Sequence, residues 1–143
     1  MVKVKFYEMV QDELLKFAVI VSKADGKWVL CRHRDRDTYE VPGGHREPGE
    51  TILETAKREL QEETGAQIFE IKPVCVYSVT GKTQVVDDEK ETFGMLYSAE
   101  IKTFEVELHS EIEQVKLFDE LPDHWTYPLI QPLLLQEYER RKQ

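Results

Sequence analysis

The chain has 143 residues, 41% of them hydrophobic and 33% charged, enough apolar content for one buried core and too little bias for a disordered chain. With 19 Lys and Arg against 28 Asp and Glu the formal net charge is −9. That excludes a basic stripe for gripping a nucleic-acid duplex, but leaves room for a small phosphorylated ligand held by local cations or bound metal ions.

The opening MVKVKFYEMVQDELLK has no apolar core of a secretory signal. No stretch approaches the ~18 consecutive apolar residues of a membrane span. A cytoplasmic, reducing setting without a membrane partner is the expectation, and Cys31 and Cys75, each in an apolar strand-like run, are expected to be buried free thiols.

In chain order, residues 2–10 alternate as a strand does. Residues 17–22 (FAVIVS) are apolar throughout, as in a strand covered on both faces, and Ala24-Asp25-Gly26 turns them into a hairpin with 27–33. A short extended piece, 39–41, leads to a break at Pro42-Gly43-Gly44, and Pro48-Gly49 makes another. Thr51 and Glu54 have capping-box spacing for a helix reaching Thr64, with Gly65 placed to end it.

Residues 68–79 and 93–101 read as strands, separated by a polar loop with Asp87, Asp88, Glu89 and Glu91 that is expected to be a solvated loop. A short strand over 115–118 and a closing helix over 128–141 complete the chain, with Pro132 either kinking that helix or marking its first turn. No repeat or linker divides the sequence. The expectation is a single domain over residues 1–143, of mixed α/β class with helices packed on a sheet.

On a wheel of the central helix, Ile52, Leu53, Ala56 and Leu60 share the face that must meet the sheet. Glu63 points into that arc, Glu59 lies at its edge and Glu62 further round. A carboxylate aimed at the packed side is costly unless neutralised, hydrogen-bonded or bound to a cation. Glu59, Glu62 and Glu63, at i, i+3 and i+4, converge and repel one another without a cation. Hard divalent ions take oxygen ligands, and Mg²⁺ combines a few carboxylates with water and substrate phosphates.

Gly44 is followed by five residues and Glu50, then seven and Arg58, then Glu59, Leu60, Gln61, Glu62, Glu63, Thr64, Gly65 and Ala66. This run resembles the complete signature of the Nudix family, GX5EX7REUXEEXGU, with every fixed position filled. Random composition would place seven such letters in register about once in a hundred thousand sequences, so chance is set aside.

The resemblance implies a Nudix-type α/β/α sandwich with a mixed β-sheet, and a Mg²⁺-dependent hydrolase, Mn²⁺ being the alternative ion, of a nucleoside diphosphate linked to another group. It implies that Glu59, Glu62 and Glu63 bind metal or form the base, that the Gly43 carbonyl adds a metal ligand, and that Arg58 orients a helix carboxylate. Gly44 and Gly65 would serve geometry. Two positions keep alternatives: Arg58 also has the spacing of a surface pair with Glu54, and Glu50 could stand near the metal or serve the loop and helix N-terminus.

Outside the motif, Arg32, His33, Arg34 and Arg36 concentrate positive charge where substrate phosphates could be met, or pair with Asp35 and Asp37 at the surface. The family also uses a late glutamate, for which Glu107, Glu111 and Glu113 are candidates. The segment LPDHWTYPLIQPLLLQ resembles the base-contacting region of MutT-type hydrolases, so Trp125 could stack on a purine and Asp123 accept from its edge; the alternative is that Trp125 and Tyr127 pack the last helix.

The expected reaction is that of a MutT-like nucleoside triphosphate pyrophosphohydrolase, with oxidised purine nucleotides among its substrates. The alternatives are ADP-ribose, a nucleotide sugar or a dinucleoside polyphosphate as substrate. A third reading, a catalytically silent ligand sensor, has no chemical need for three intact carboxylates. The expected partner is a small-molecule nucleotide, for a monomer or homodimer.

Overall fold

A computed structural model describes residues 2–33, 36–81, 90–105 and 112–142, with side chains from 115 onward in the last segment. Its strands are β1 (Lys3–Tyr7), β2 (Leu15–Ala24), β3 (Lys27–His33), β4 (Gly43–His45), β5 (Ala66–Thr80), β6 (Thr92–Phe104) and β7 (Ile112–Phe118). The helices are α1 (Ile52–Thr64) and α2 (Gln131–Lys142), and a single 3₁₀ turn, Asp12–Leu14, precedes β2.

The strands form one sheet in the order β1-β5-β6-β2-β3-β7, with β4 attached to β2. Only β2 and β6 run parallel; the other neighbours are antiparallel, which makes the sheet mixed. The β2–β3 turn places Asp25 and Gly26 at φ 57° and 77°, the left-handed geometry a two-residue hairpin needs.

Each face of the sheet carries its own core. Val19 and Val21 of β2 join Leu30, Tyr77, Leu96 and the α2 residues Leu134 and Leu135. Ala18 and Ile20 point the other way, to Val29, Tyr97, Ala99 and the α1 residues Ala56 and Leu60. Helices on both faces are why β2 is apolar at successive positions rather than alternate ones. The layers are the α/β/α sandwich implied by the sequence motif.

Strand β2 changes partner along its length. Its C-terminal end, Ser22 to Ala24, pairs with β3, whereas Phe17, Ala18 and Val19 pair with His45, Gly44 and Gly43 of β4. Residues Pro42-Gly43-Gly44, expected as a break, are thus partly strand: β3 has peeled away from β2, and β4 satisfies the exposed backbone groups.

Thr51 caps α1 in the expected box with Glu54, and Gly65 ends it at φ 74°. One wheel position differs from expectation, and a neighbour of it joins the buried face. Leu53 is 39% exposed, while Thr55 is fully buried with its hydroxyl bonded to Glu50. Helix α2 begins at Gln131, so Pro132 lies in its first turn.

Cys31 and Cys75 are buried free thiols. In the acidic loop, Asp87, Asp88 and Glu89 lie outside the described residues. Glu91 is a side-chain anchor rather than a solvated charge: one of its oxygens accepts from Tyr7 and Ser78, each at 2.6 Å. Among the described residues no helix is long and apolar enough to cross a membrane.

Candidate active site

The short strand β4 and helix α1 meet with almost no space between them. The Gly43 amide donates to Glu63 Oε1 at 2.8 Å. A Cβ added at Gly44 would stand 1.9 Å from Glu59 Oε2, and one at Gly43 would stand 2.5 Å from the Ala18 carbonyl oxygen. Both glycines are required by close approach, one to a carboxylate and the other to neighbouring backbone.

Arg58 reaches out of α1 into this junction. Its Nε and Nη2 donate to the two Glu50 oxygens at 2.6 and 3.1 Å, and Nη2 also donates to the His45 carbonyl at 3.0 Å. Its Nη1 lies 3.3 Å from Glu59 and 3.4 Å from Glu62. The surface pair with Glu54 does not form, because the Glu54 carboxylate accepts from the Thr51 amide.

Glu50 also accepts from Thr55 and from the Glu47 amide. Arg58 above all, with those bonds, holds the Glu50 carboxyl down at about 2. Glu50 therefore closes the loop and anchors Arg58, one guanidinium away from the helix carboxylates.

Burial, reinforced by neighbouring Glu63, pushes the Glu59 carboxyl up to about 7. Glu63 is itself buried, at 7% exposure. Two crowded carboxylates and an exposed third, Glu62, concentrate negative charge of a kind that a hard divalent ion would relieve. Arg58 Nη1, between Glu59 and Glu62, neutralises part of the same charge.

Glu63 also faces away from that set. Its Oε2 lies 3.3 Å from His33 Nε2, and Glu40 Oε2 lies 3.4 Å from the same nitrogen. Among the described residues, His33, Glu40 and Glu63 are the group gathered tightly enough to hold a metal ion. The bond to Glu63 raises the His33 pKa, and burial raises that of Glu40.

Glu40 was not singled out by the sequence, since it belongs to no motif position. The signal was its place between two apolar residues, Tyr39 and Val41, in an extended piece. Such a residue alternates to the opposite face from its neighbours, and the backbone pairing of Glu40 with Cys31 fixes it beside the end of β3.

A cavity of about 120 Å³ opens between β2, β5 and α2, lined by Phe17, Tyr77, Tyr127 and Leu134 together with Glu40, Gly43 and Gly44. Tyr127 lines it, but Trp125 and Asp123 do not. Trp125 bridges by backbone to Tyr39 and packs against the core under α2, and Asp123 is exposed.

Arg32 Nη1 donates to the Arg36 carbonyl at 2.9 Å, bracing the segment after β3. Arg36 in turn lies 3.3 Å from Glu40 and 6.0 Å from the Tyr127 ring centre, at the cavity. Arg34, Glu107 and Glu111 fall outside the described residues; Glu113 falls in β7, its side chain outside them.

The NUDIX domain family model matches residues 13–132. The chain is 35% identical over 124 residues to the "Putative 8-oxo-dGTP diphosphatase YtkD" of Bacillus subtilis, covering 86% of this chain and 74% of that protein. It is 30% identical over 112 residues to the nucleoside triphosphatase NudI of Escherichia coli K12, covering 73% and 75%. Among solved structures, the pyrophosphohydrolase BsRppH of Bacillus subtilis superposes with a TM-score of 0.77 at 30% identity, over 97% of this chain and 90% of that one.

Proposed function

Since the chain belongs to the Nudix hydrolase family and is a nucleotide pyrophosphohydrolase, we propose that its substrates are nucleoside triphosphates, purine forms and oxidised guanine among them, cleaved to the monophosphate and pyrophosphate. The carrying observation is the cavity lined both by aromatic rings and by Glu40, Gly43 and Gly44. A base stacked beside Tyr127 or Tyr77 would leave its phosphates at the β4–α1 junction. The names of two relatives, an 8-oxo-dGTP diphosphatase and a nucleoside triphosphatase, support the same substrate class.

Residues 1–143 act as one catalytic domain in this reading. Glu59, Glu62, Glu63 and the Gly43 carbonyl would hold Mg²⁺ or Mn²⁺. The bound ion supplies neutralisation of phosphate charge and a lowered pKa for a coordinated water. One of these carboxylates takes up the proton of the attacking water. Arg58, tied to Glu50 and the His45 carbonyl, fixes the direction of Glu59. Arg36 and His33 offer positive charge to the phosphate chain between cavity and carboxylates, while Arg32 braces the backbone that carries Arg36. The water attacks phosphorus in line with the departing pyrophosphate, without a covalent enzyme intermediate.

The test is a panel of nucleoside triphosphates, oxidised guanine triphosphate, ADP-ribose, a nucleotide sugar and a dinucleoside polyphosphate with Mg²⁺, reading rates and phosphorus products. Preference for a purine triphosphate with release of pyrophosphate is the expected result. Higher kcat/KM on ADP-ribose, the nucleotide sugar or the dinucleoside polyphosphate overturns the substrate assignment.

A further inference from the structure

In the reading above the motif carboxylates Glu59, Glu62 and Glu63 would hold one cation, yet His33 and Glu40 occupy no motif position and meet Glu63 as well. Three separate elements bring them together: the end of β3, the extended piece before β4, and α1. The Glu40 and Glu63 side chains are 7% and 10% exposed, and that of His33 is 22% exposed.

Two of the three spacings match those between ligands of one ion and are wider than the shortest hydrogen bonds. His33 Nε2 stands 3.4 Å from Glu40 Oε2 and 3.3 Å from Glu63 Oε2, and all three atoms lie within 4.8 Å of one another. Ligands ~2.0–2.1 Å from a tetrahedral ion are separated by about 3.3–3.4 Å. A direct charge-assisted hydrogen bond closes instead to ~2.7–2.9 Å.

The outer shell is also in place. The second oxygen of Glu63 accepts from the Gly43 amide at 2.8 Å, and the second oxygen of Glu40 is 3.3 Å from Arg36 Nη1. Each carboxylate thus has one oxygen fixed and one directed at His33, the arrangement by which surrounding groups orient metal ligands. With Arg36 beside Glu40 and Glu63 held by a backbone amide, a divalent ion with a neutral imidazole is one way of balancing the two buried carboxylates, protonation of His33 the other.

We propose that His33, Glu40 and Glu63 form a second divalent-ion site, of the mixed nitrogen and oxygen type that takes Zn²⁺ in preference to Mg²⁺. Glu63 would serve both sites, so Zn²⁺ bound here withdraws it from the motif carboxylates and slows Mg²⁺-dependent turnover. That consequence rests on the catalytic reading above; the binding site itself does not.

The experiment titrates the full-length protein with Zn²⁺ or Mg²⁺ alone and follows the imidazole nitrogens by NMR. The Nε2 resonance of His33 shifts with an equimolar amount of Zn²⁺ and stays in place with Mg²⁺. Glu40→Gln weakens Zn²⁺ binding at least tenfold, whereas Glu62→Gln leaves the His33 response intact. A His33 resonance indifferent to Zn²⁺ in the unmodified protein, or lost in Glu62→Gln, overturns the site.

Zn²⁺ added at saturating Mg²⁺ then lowers turnover, less so in Glu40→Gln than in the unmodified protein relative to each one's own rate. A shifted His33 with unchanged turnover overturns the competition alone. Failure to hydrolyse any nucleotide counts against the proposed reaction, and the resonance still decides the site.

Discussion

Gly44→Ala separates the geometry of the site from the stability of the fold. A Cβ at Gly44 lands 1.9 Å from Glu59 Oε2, where ordinary contact begins near 3.4 Å. Glu59 must therefore withdraw by about 1.5 Å. It can do so, because the obstructing atom is the end of a flexible side chain and Gly44 does not occupy the left-handed region. Folding should be little changed, a compatible Gly→Ala replacement being worth only about 0.4–1 kcal/mol, in the stabilising direction.

Turnover should fall on the order of a hundredfold, the cost of misplacing a reacting group by about 1 Å. Gly43→Ala is the control: its Cβ would stand 2.5 Å from the Ala18 carbonyl oxygen and 3.1 Å from Val19 Cα. Backbone cannot swing aside, and overpacking should cost about 1–3 kcal/mol. Thermal melting and pyrophosphate release under saturating Mg²⁺ and nucleotide read both variants. Full turnover by folded Gly44→Ala protein would refute the requirement for Glu59 at its present position.

Four further outcomes are expected. Glu50, held down at about 2 by Arg58, contributes stability that is present above pH 4.5 and lost as pH falls from there toward 2; an acid melt of Glu50→Gln should lack that loss, and an unchanged acid profile contradicts the Arg58–Glu50 anchor. In the metal-free protein Glu59 titrates at about 7 because of burial and Glu63, so Mg²⁺ binding near pH 6.5 should release protons, and calorimetry in buffers of different ionisation heat should find no such release in Glu59→Gln. Trp125→Ala and Tyr127→Ala each remove a half-buried ring packed against the core under α2 and should lower melting, by up to about 3 kcal/mol, but Tyr127→Ala, which also opens the cavity wall, should in addition raise KM for purine triphosphates, while Trp125→Ala affects all bases alike; a base-selective loss in Trp125→Ala alone returns Trp125 to the base site. Glu63→Gln should lower turnover per folded molecule at least tenfold, and excess chelator should abolish activity in the unmodified protein; turnover in chelator removes the metal from the mechanism.

What the sequence by itself determined was whatever depends on neighbours along the chain. Helix α1 could be bounded from Thr51, Glu54 and Gly65 because capping is a local hydrogen-bonding problem. The two-faced burial of β2 was visible in FAVIVS, and the carboxylates aimed at the sheet followed from helical spacing. The motif from Gly44 to Ala66 carried the family because its residues act from one loop and one helix.

Tertiary structure decided the contacts between segments distant in sequence. Glu40 became part of the site only when Cys31 paired with it and α1 brought Glu63 to His33. Arg58 had a local partner available in Glu54, but the loop folded back to present Glu50, His45 and Glu59 together. Pro42-Gly43-Gly44 reads as a break along the chain; its two glycines become strand because β3 leaves β2 and frees backbone groups that this segment reaches. Trp125 and Tyr127 are two residues apart with similar local context, and which one meets the cavity is set by how the chain bridges Tyr39 before entering α2. Local pattern fixes the angle of a side chain on its own element; packing fixes what stands opposite it.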